Sequence, residues 1–304
     1  MRVAAIDCGT NSIRLLVVDR DGDLTHELYR DMRVVRLGQG VDATGRFADE
    51  AIERTLAACD EYALLCKDLG VERIRFAATS ATRDASNRDE FIDGVVKRLG
   101  VAPEVITGLE EATLSFVGAT AELRGEEPAP YLVVDIGGGS TEFVLGDATP
   151  TAARSVDIGC VRMTERHILG DHPGGAVIVS ALADIDAAIA IAAAEVPVAD
   201  AHTFVAVAGS ATTVAAHALG LAAYDRDAIH RTRLSYEQVS AASSDFLRLT
   251  AAERAALPYM HPGRVDVIPA GALILRRIME VCDFSEVLIS EHDILDGIAW
   301  SIPR

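Results

Sequence analysis

A strand-turn-strand signature occurs twice in this chain, as Ala5-Ile6-Asp7-Cys8-Gly9-Thr10-Asn11-Ser12 and as Val134-Asp135-Ile136-Gly137-Gly138-Gly139-Ser140-Thr141-Glu142. Each runs from an apolar segment through Asp-x-Gly into small hydroxyl residues and back into an apolar segment. Glycines there let backbone N–H groups point at an anion, and the neighbouring carboxylate can hold a metal cation. Phosphate together with a divalent cation is the natural occupant. The repeat extends further, because Ala78-Thr79-Ser80-Ala81-Thr82 reappears as Ala208-Gly209-Ser210-Ala211-Thr212. Asp7 and Asp135 are 128 residues apart and Ser80 and Ser210 are 130 apart, so two independent motif pairs keep nearly one offset. That register predicts a duplicated domain.

The chain of 304 residues, half of them hydrophobic, is long enough for two domains with a core each. A net charge of -18 disfavours duplex nucleic acid and anionic membranes as partners, so a polyanionic substrate would need a local basic patch. Asp7 comes too early for a signal peptide, and the weakly apolar stretch 203–224 contains Gly209, Ser210, Thr212, Thr213 and His217. It reads as a buried strand plus helix, not a membrane span, and a soluble cytoplasmic protein is expected. Five scattered cysteines with no C-x-x-C pair suggest reduced thiols.

Short apolar segments near 2–7, 13–19, 23–30 and 33–37, with Asp21-Gly22-Asp23 as a turn signal, predict antiparallel strands. Helices near 49–69, 87–99 and 109–123 then alternate with strands near 73–78 and 103–107, the pattern of a mixed three-layer α/β domain. The polar, proline-containing segment 124–130 is the expected boundary, giving an N-terminal domain over 1–125 and a C-terminal domain over 126–290. In the second, strands are expected near 131–136, 140–146, 151–157, 203–208 and 286–289, and helices near 178–195, 211–218, 235–248 and 264–281. The closing helix, about 291–304, is a candidate to pack back on the first domain.

Asp135 and Glu142 bracket three consecutive glycines, Gly137, Gly138 and Gly139, followed by Ser140. Each glycine costs roughly 0.5–1 kcal/mol of backbone entropy relative to alanine, so close approach of a ligand explains them better than a plain hairpin. Asp7 holds the matching place in the first repeat. Glu110 and Glu111 open a helix, where carboxylates complement the helix dipole; a phosphate hydrolase without a covalent intermediate also needs such a base to orient water. Arg83, expected beyond the end of an inner strand, suits bidentate phosphate binding or a surface pair with Asp84 or Asp89. Arg30, Arg33 and Arg36 alternate faces of a strand and are read as solvated.

These motifs resemble the exopolyphosphatase / guanosine-pentaphosphate phosphohydrolase family of the actin-like ATPase superfamily, over essentially the whole chain. The similar segments are Asp7-Cys8-Gly9-Thr10-Asn11-Ser12-Ile13-Arg14-Leu15, Ala78-Thr79-Ser80-Ala81-Thr82-Arg83, Gly108-Leu109-Glu110-Glu111-Ala112 and, most specifically, Asp135-Ile136-Gly137-Gly138-Gly139-Ser140-Thr141-Glu142. The resemblance implies two duplicated actin-like (ribonuclease H-like) α/β domains with an interdomain cleft. It implies Glu111 as the general base, and Asp135 and Glu142, with Asp7, as holders of Mg²⁺. Asn11, Ser12, Arg83, Gly137, Gly138, Gly139 and Ser140 would cradle the terminal phosphates. Release of terminal orthophosphate from inorganic polyphosphate, from short chains, is the leading expectation. Hydrolysis of guanosine pentaphosphate at its 5′ end, a non-hydrolytic phosphate or nucleotide sensor, and a sugar kinase are the alternatives. A homodimer is a family-level expectation. Ala208-Gly209-Ser210 departs from the two glycines and threonine of many relatives, and Ser290-Glu291-His292-Asp293-Ile294-Leu295-Asp296-Gly297 removes an arginine near the closing helix.

Overall fold

The computed structural model describes residues 1–21, 24–167 and 171–303, so Gly22 and Asp23 of the expected first turn lie outside the described residues. The chain divides into two compact units, Met1–Gly118 with Ile294–Arg304, and Ala119–Asp293. The first division falls inside a helix at 118/119, upstream of the polar segment that suggested it.

The first unit contains β1 (Arg2–Cys8), β2 (Ser12–Asp21), β3 (Leu24–Val34), α1 (Val41–Thr44), α2 (Asp49–Asp68), β4 (Arg73–Ala78), α3 (Ser80–Asp84), α4 (Arg88–Leu99), β5 (Glu104–Val105) and α5 (Gly108–Thr120). The second contains β6 (Tyr131–Ile136), β7 (Thr141–Gly146), β8 (Pro150–Val156), α6 (Cys160–His167), α7 (Gly175–Glu195), β9 (Thr203–Val207), α8 (Ala208–Ala218), α9 (Arg226–Ile229), β10 (Arg233–Ser235), α10 (Tyr236–Arg248), α11 (Ala251–Ala255), α12 (Ile268–Val281) and β11 (Glu286–Ile289). The closing helix α13 (Ile294–Ser301) packs on β1, β2 and β4.

The two sheets share one topology over five strands, and the second adds β10 at its edge. The first has the order β3-β2-β1-β4-β5 and the second β10-β11-β9-β6-β7-β8. Three antiparallel strands lead in each, β1-β2-β3 and β6-β7-β8, and the first strand of each pairs in parallel with the strand after the crossover helix, β4 or β9. Domain duplication thus holds at the level of strand order, well beyond the motif spacing.

Strand alternation sorts each sheet into two faces. On β1, Ala4, Ile6 and Cys8 enter a core with Phe76, Phe91 and Tyr62 beneath α2 and α4, while Val3 and Ala5 face Leu114 of α5 and Ile298 of α13. On β6, Leu132, Val134 and Ile136 enter the larger core under α7, α8, α10 and α12. Asp7 and Asp135 therefore have the same parity in their sheets, on the side opposite the larger core.

Several expectations are corrected. The segments 23–30 and 33–37 are one strand, β3, because β2 pairs with it continuously from Ser12↔Val34 to Asp21↔Leu24, absorbing a bulge at Val17/Val18. The helix expected from 264 begins at Ile268, after a 3-10 turn Pro262–Arg264. Helices α6 and α9 and strand β10 carry too few periodic residues to be legible. The arginines read as solvated are held: Arg30 Nη2 donates to Asp296 Oδ1 at 2.5 Å, and Arg33 bonds Asp31 and Glu61. Helix α7 is long and apolar enough to cross a membrane by composition, yet Ala181, Ile185, Ala188, Ile189 and Ala192 form a stripe packed into the second core.

Candidate active site

In the first unit the parallel strands β1 and β4 end side by side, with Cys8 opposite Ala78. The chain turns after β1 with a hydrogen bond from Gly9 N–H to the Ser12 carbonyl at 2.9 Å, which brings Asn11 and Ser12 to the tip. The Asn11 carbonyl accepts from the N–H groups of Val35 and Arg36, fixing that tip to the end of β3. After β4, Thr79 leads into α3, which carries Arg83. Arg83 Nη1 donates to the Ile106 carbonyl at 3.0 Å and to Glu111 Oε2 at 2.7 Å.

Glu110 and Glu111, adjacent in the first turn of α5, are sent to different environments. Glu110 is exposed and pairs with Arg75 at 2.6 Å. Glu111 is buried, 9 % exposed, beside Arg83, Thr79 and Asp7. Burial pushes its carboxyl up from the ordinary value; the Arg83 guanidinium pulls it back in part, and the Asp7 charge adds to the rise. Asp7 is itself held by Arg14, its cross-strand neighbour, whose Nε and Nη2 reach Oδ2 at 3.0 and 2.6 Å. The structure thus gathers Asp7, Arg83 and Glu111, from three separate segments, at one end of the first sheet. Arg83 meets neither Asp84 nor Asp89 there but Glu111.

The second unit repeats the turn. Gly137 N–H donates to the Ser140 carbonyl at 3.1 Å, each residue 128 positions after its counterpart in the first turn. Asp135 on β6 and Glu142 on β7 are register partners, 6 % and 1 % exposed, and Ser155 Oγ on β8 donates to Glu142 Oε1 at 2.7 Å. Two buried carboxylates side by side give an oxygen donor set suited to a hard cation such as Mg²⁺. The glycine carbonyls face helix α6: Cys160 N–H donates to Gly137, Val161 and Arg162 N–H to Gly138, and Arg162 Nε to Gly139 at 2.7 Å. With those carbonyls bound, the N–H groups of Gly138 and Gly139 take no protein acceptor among the described residues, which leaves them to an anion. A methyl on Gly159 would meet the Gly138 carbonyl at 2.4 Å, so α6 can approach the turn only with glycine there.

One residue escaped the sequence reading. Arg264, on the 3-10 turn before α12, lays its guanidinium on Gly209 at the head of α8, where a Cβ would stand 1.2 Å from Nη1. It lies close enough to Cys160, whose N–H binds the glycine turn, to influence that thiol, and it makes no ion pair among the described residues. Its only sequence signal is the preceding Pro262-Gly263, which breaks the helix expected to contain it.

Two like sheets, each with a glycine turn and a buried carboxylate at the end of its first strand, define a duplicated α/β protein. The chain belongs to the Ppx/GppA phosphatase family, whose model matches residues 16–302. It is 48 % identical to exopolyphosphatase 2 of Mycobacterium tuberculosis, over 99 % of this chain and 98 % of that one. A crystal structure of an exopolyphosphatase-like protein, 47 % identical, superposes with a TM-score of 0.95 over 98 % of this chain and 96 % of that one. The PPX-GPPA enzyme of Aquifex aeolicus, 30 % identical, does so with a TM-score of 0.82 over 99 % of both chains.

Proposed function

We propose that this protein is an exopolyphosphatase, releasing terminal orthophosphate from short chains of inorganic polyphosphate by Mg²⁺-dependent hydrolysis. The observation that carries the reading is Glu111: a buried carboxyl with a raised pKa, held in place by a guanidinium and a threonine at a phosphate-type turn. A base with its pKa raised toward neutrality is suited to take a proton from water. In this reading Glu111 Oε accepts that proton as the water oxygen bonds to the terminal phosphorus in line with the leaving phosphate oxygen. The bridging P–O bond breaks, and orthophosphate departs with the water oxygen.

In this reading Asn11, Ser12 and Arg83 are the phosphate-holding groups of the first unit, and the N–H groups of the 137–140 turn are those of the second. Arg83 serves twice, orienting Glu111 and meeting phosphate oxygens with its remaining donors. Asp135 and Glu142 in the second unit, and Asp7 in the first, are the carboxylates that would hold Mg²⁺, whose contribution when bound is to neutralise charge on the phosphate oxygens. Arg264, a guanidinium laid on Gly209 at the head of α8, suits a phosphate further along the chain.

The test is orthophosphate release with Mg²⁺ from short polyphosphate, long polyphosphate and guanosine pentaphosphate, with Glu111→Gln as the blank. Release from polyphosphate that falls by about 10²–10⁴ in the variant, with polyphosphate binding retained, is the expected outcome. Release from guanosine pentaphosphate alone would overturn the substrate, and undiminished release by Glu111→Gln would overturn the base.

A further inference from the structure

Outside the candidate active site, three side chains from distant segments converge in the second unit. Glu122 follows α5, His230 follows α9 and His292 follows β11, and their ligand atoms all lie within 4.8 Å of one another. His230 Nε2 stands 3.1 Å from Glu122 Oε2, and His292 Nδ1 stands 3.6 Å from the same oxygen. A tetrahedral ion with bonds of about 2.0–2.1 Å holds its ligand atoms roughly 3.3 Å apart. The two spacings bracket that value. The imidazole rings lie 4.7 Å apart at their centroids, so two bases converge on a single carboxylate. His292 Nδ1 is shielded from solvent and takes no hydrogen bond, an unusual state for a ring nitrogen aimed at a charged oxygen.

We propose that Glu122, His230 and His292 form a binding site for a divalent first-row transition ion of the zinc class, with a fourth position open to water. Two imidazole nitrogens and one carboxylate favour such an ion over Mg²⁺ or Ca²⁺, whose preferred ligands are all oxygen. The set is therefore chemically distinct from the Asp135 and Glu142 pair. His230 Nδ1 accepts the Glu291 N–H at 3.2 Å, so the neutral ring carries its proton on Nε2. An ion taking Nε2 moves that proton to Nδ1 and releases the long bond from Glu291.

The position of the site suggests what the ion does. The chain leaves the first unit after Gly118 and returns to it after Asp293. Glu122 lies just beyond the first passage and His292 just before the second, so one ion held by both fastens the two connecting segments to each other and to the start of β10. Occupancy would brace those segments without touching Glu111 or the glycine turns.

The test uses the untagged full chain stripped of metal, titrated with Zn²⁺ by calorimetry and with Co²⁺ by visible absorption. One ion per chain is expected, with a tetrahedral nitrogen-containing cobalt spectrum. Affinity should fall by more than about 100-fold in Glu122→Gln and in His292→Gln, since even outer-shell partners of a metal are worth about 10–100-fold. Glu111→Gln should bind as the parent does. Glu122 is exposed, so its substitution leaves the fold intact and circular dichroism verifies this. No stoichiometric binding, binding that survives both substitutions, or an all-oxygen cobalt spectrum overturns the site.

Discussion

Arg83 Nη1 and Glu111 Oε2 stand 2.7 Å apart, so the guanidinium that restrains the rise of this buried carboxyl is also the donor that aims it. One contact thus sets both the geometry and the protonation of the proposed base.

The pH profile follows from that contact. Glu111 has its pKa raised by burial, so kcat/KM for polyphosphate should fall on the acid side at a pH above the ordinary carboxylate range. Arg83→Ala removes an influence that lowers the pKa, and the acid limb should move to higher pH as the rate drops. The linkage sign agrees: a carboxyl raised on folding contributes stability below its unfolded pKa and loses it as pH rises through the folded value. A limb that stays in place in Arg83→Ala would exclude Glu111 as the titrating group.

Asp135→Asn should raise the Mg²⁺ concentration for half-maximal activity by about 10–100-fold, as loss of one charged ligand would. Ser155→Ala, which removes the hydroxyl donating to Glu142, should act in the same direction and by less. Activity measured across a Mg²⁺ series separates this from a loss of kcat at saturating metal.

Gly209→Ala would place a methyl where the Arg264 guanidinium lies. The displaced group is the end of a flexible side chain and alanine favours helices, so stability should change by less than about 1 kcal/mol. KM for polyphosphate should nevertheless rise by about tenfold, the equivalent of about 1.4 kcal/mol. Steady-state kinetics paired with urea denaturation distinguish the two effects.

Gly297→Ala tests the packing of α13. Its new methyl would meet the Leu114 carbonyl of α5 at 2.0 Å, and backbone cannot swing aside. A loss of about 1–3 kcal/mol is expected, the usual cost of overpacking, read as a lower urea midpoint with an unchanged slope.

The residues of the site were legible where their signal is local. Gly137, Gly138 and Gly139 are costly in a hairpin and so advertise a ligand, and the 128-residue offset links Asp7 to Asp135 without any structure. Glu110 and Glu111 were indistinguishable on charge or helix position. Only packing separates them, because α5 turns one toward Arg75 at the surface and the other toward Thr79 and Arg83. Arg264 was invisible, since its role depends on meeting Gly209 from 55 residues away.

By itself the sequence determined the duplicated α/β architecture, the glycine turns after the first strand of each repeat and the matching places of Asp7 and Asp135 in them. Those features follow from backbone freedom and from the two-residue period of a strand, which a short window of chain contains. Tertiary structure alone decided that Arg14 holds Asp7, that Arg83 reaches Glu111, that Arg30 ties β3 to α13, and that Glu122, His230 and His292 meet. Arg14 meets Asp7 through the register of one hairpin, while the other contacts join segments 28 or more residues apart, and charge pairing across such distances is fixed by how the cores pack, which no local pattern of residues encodes.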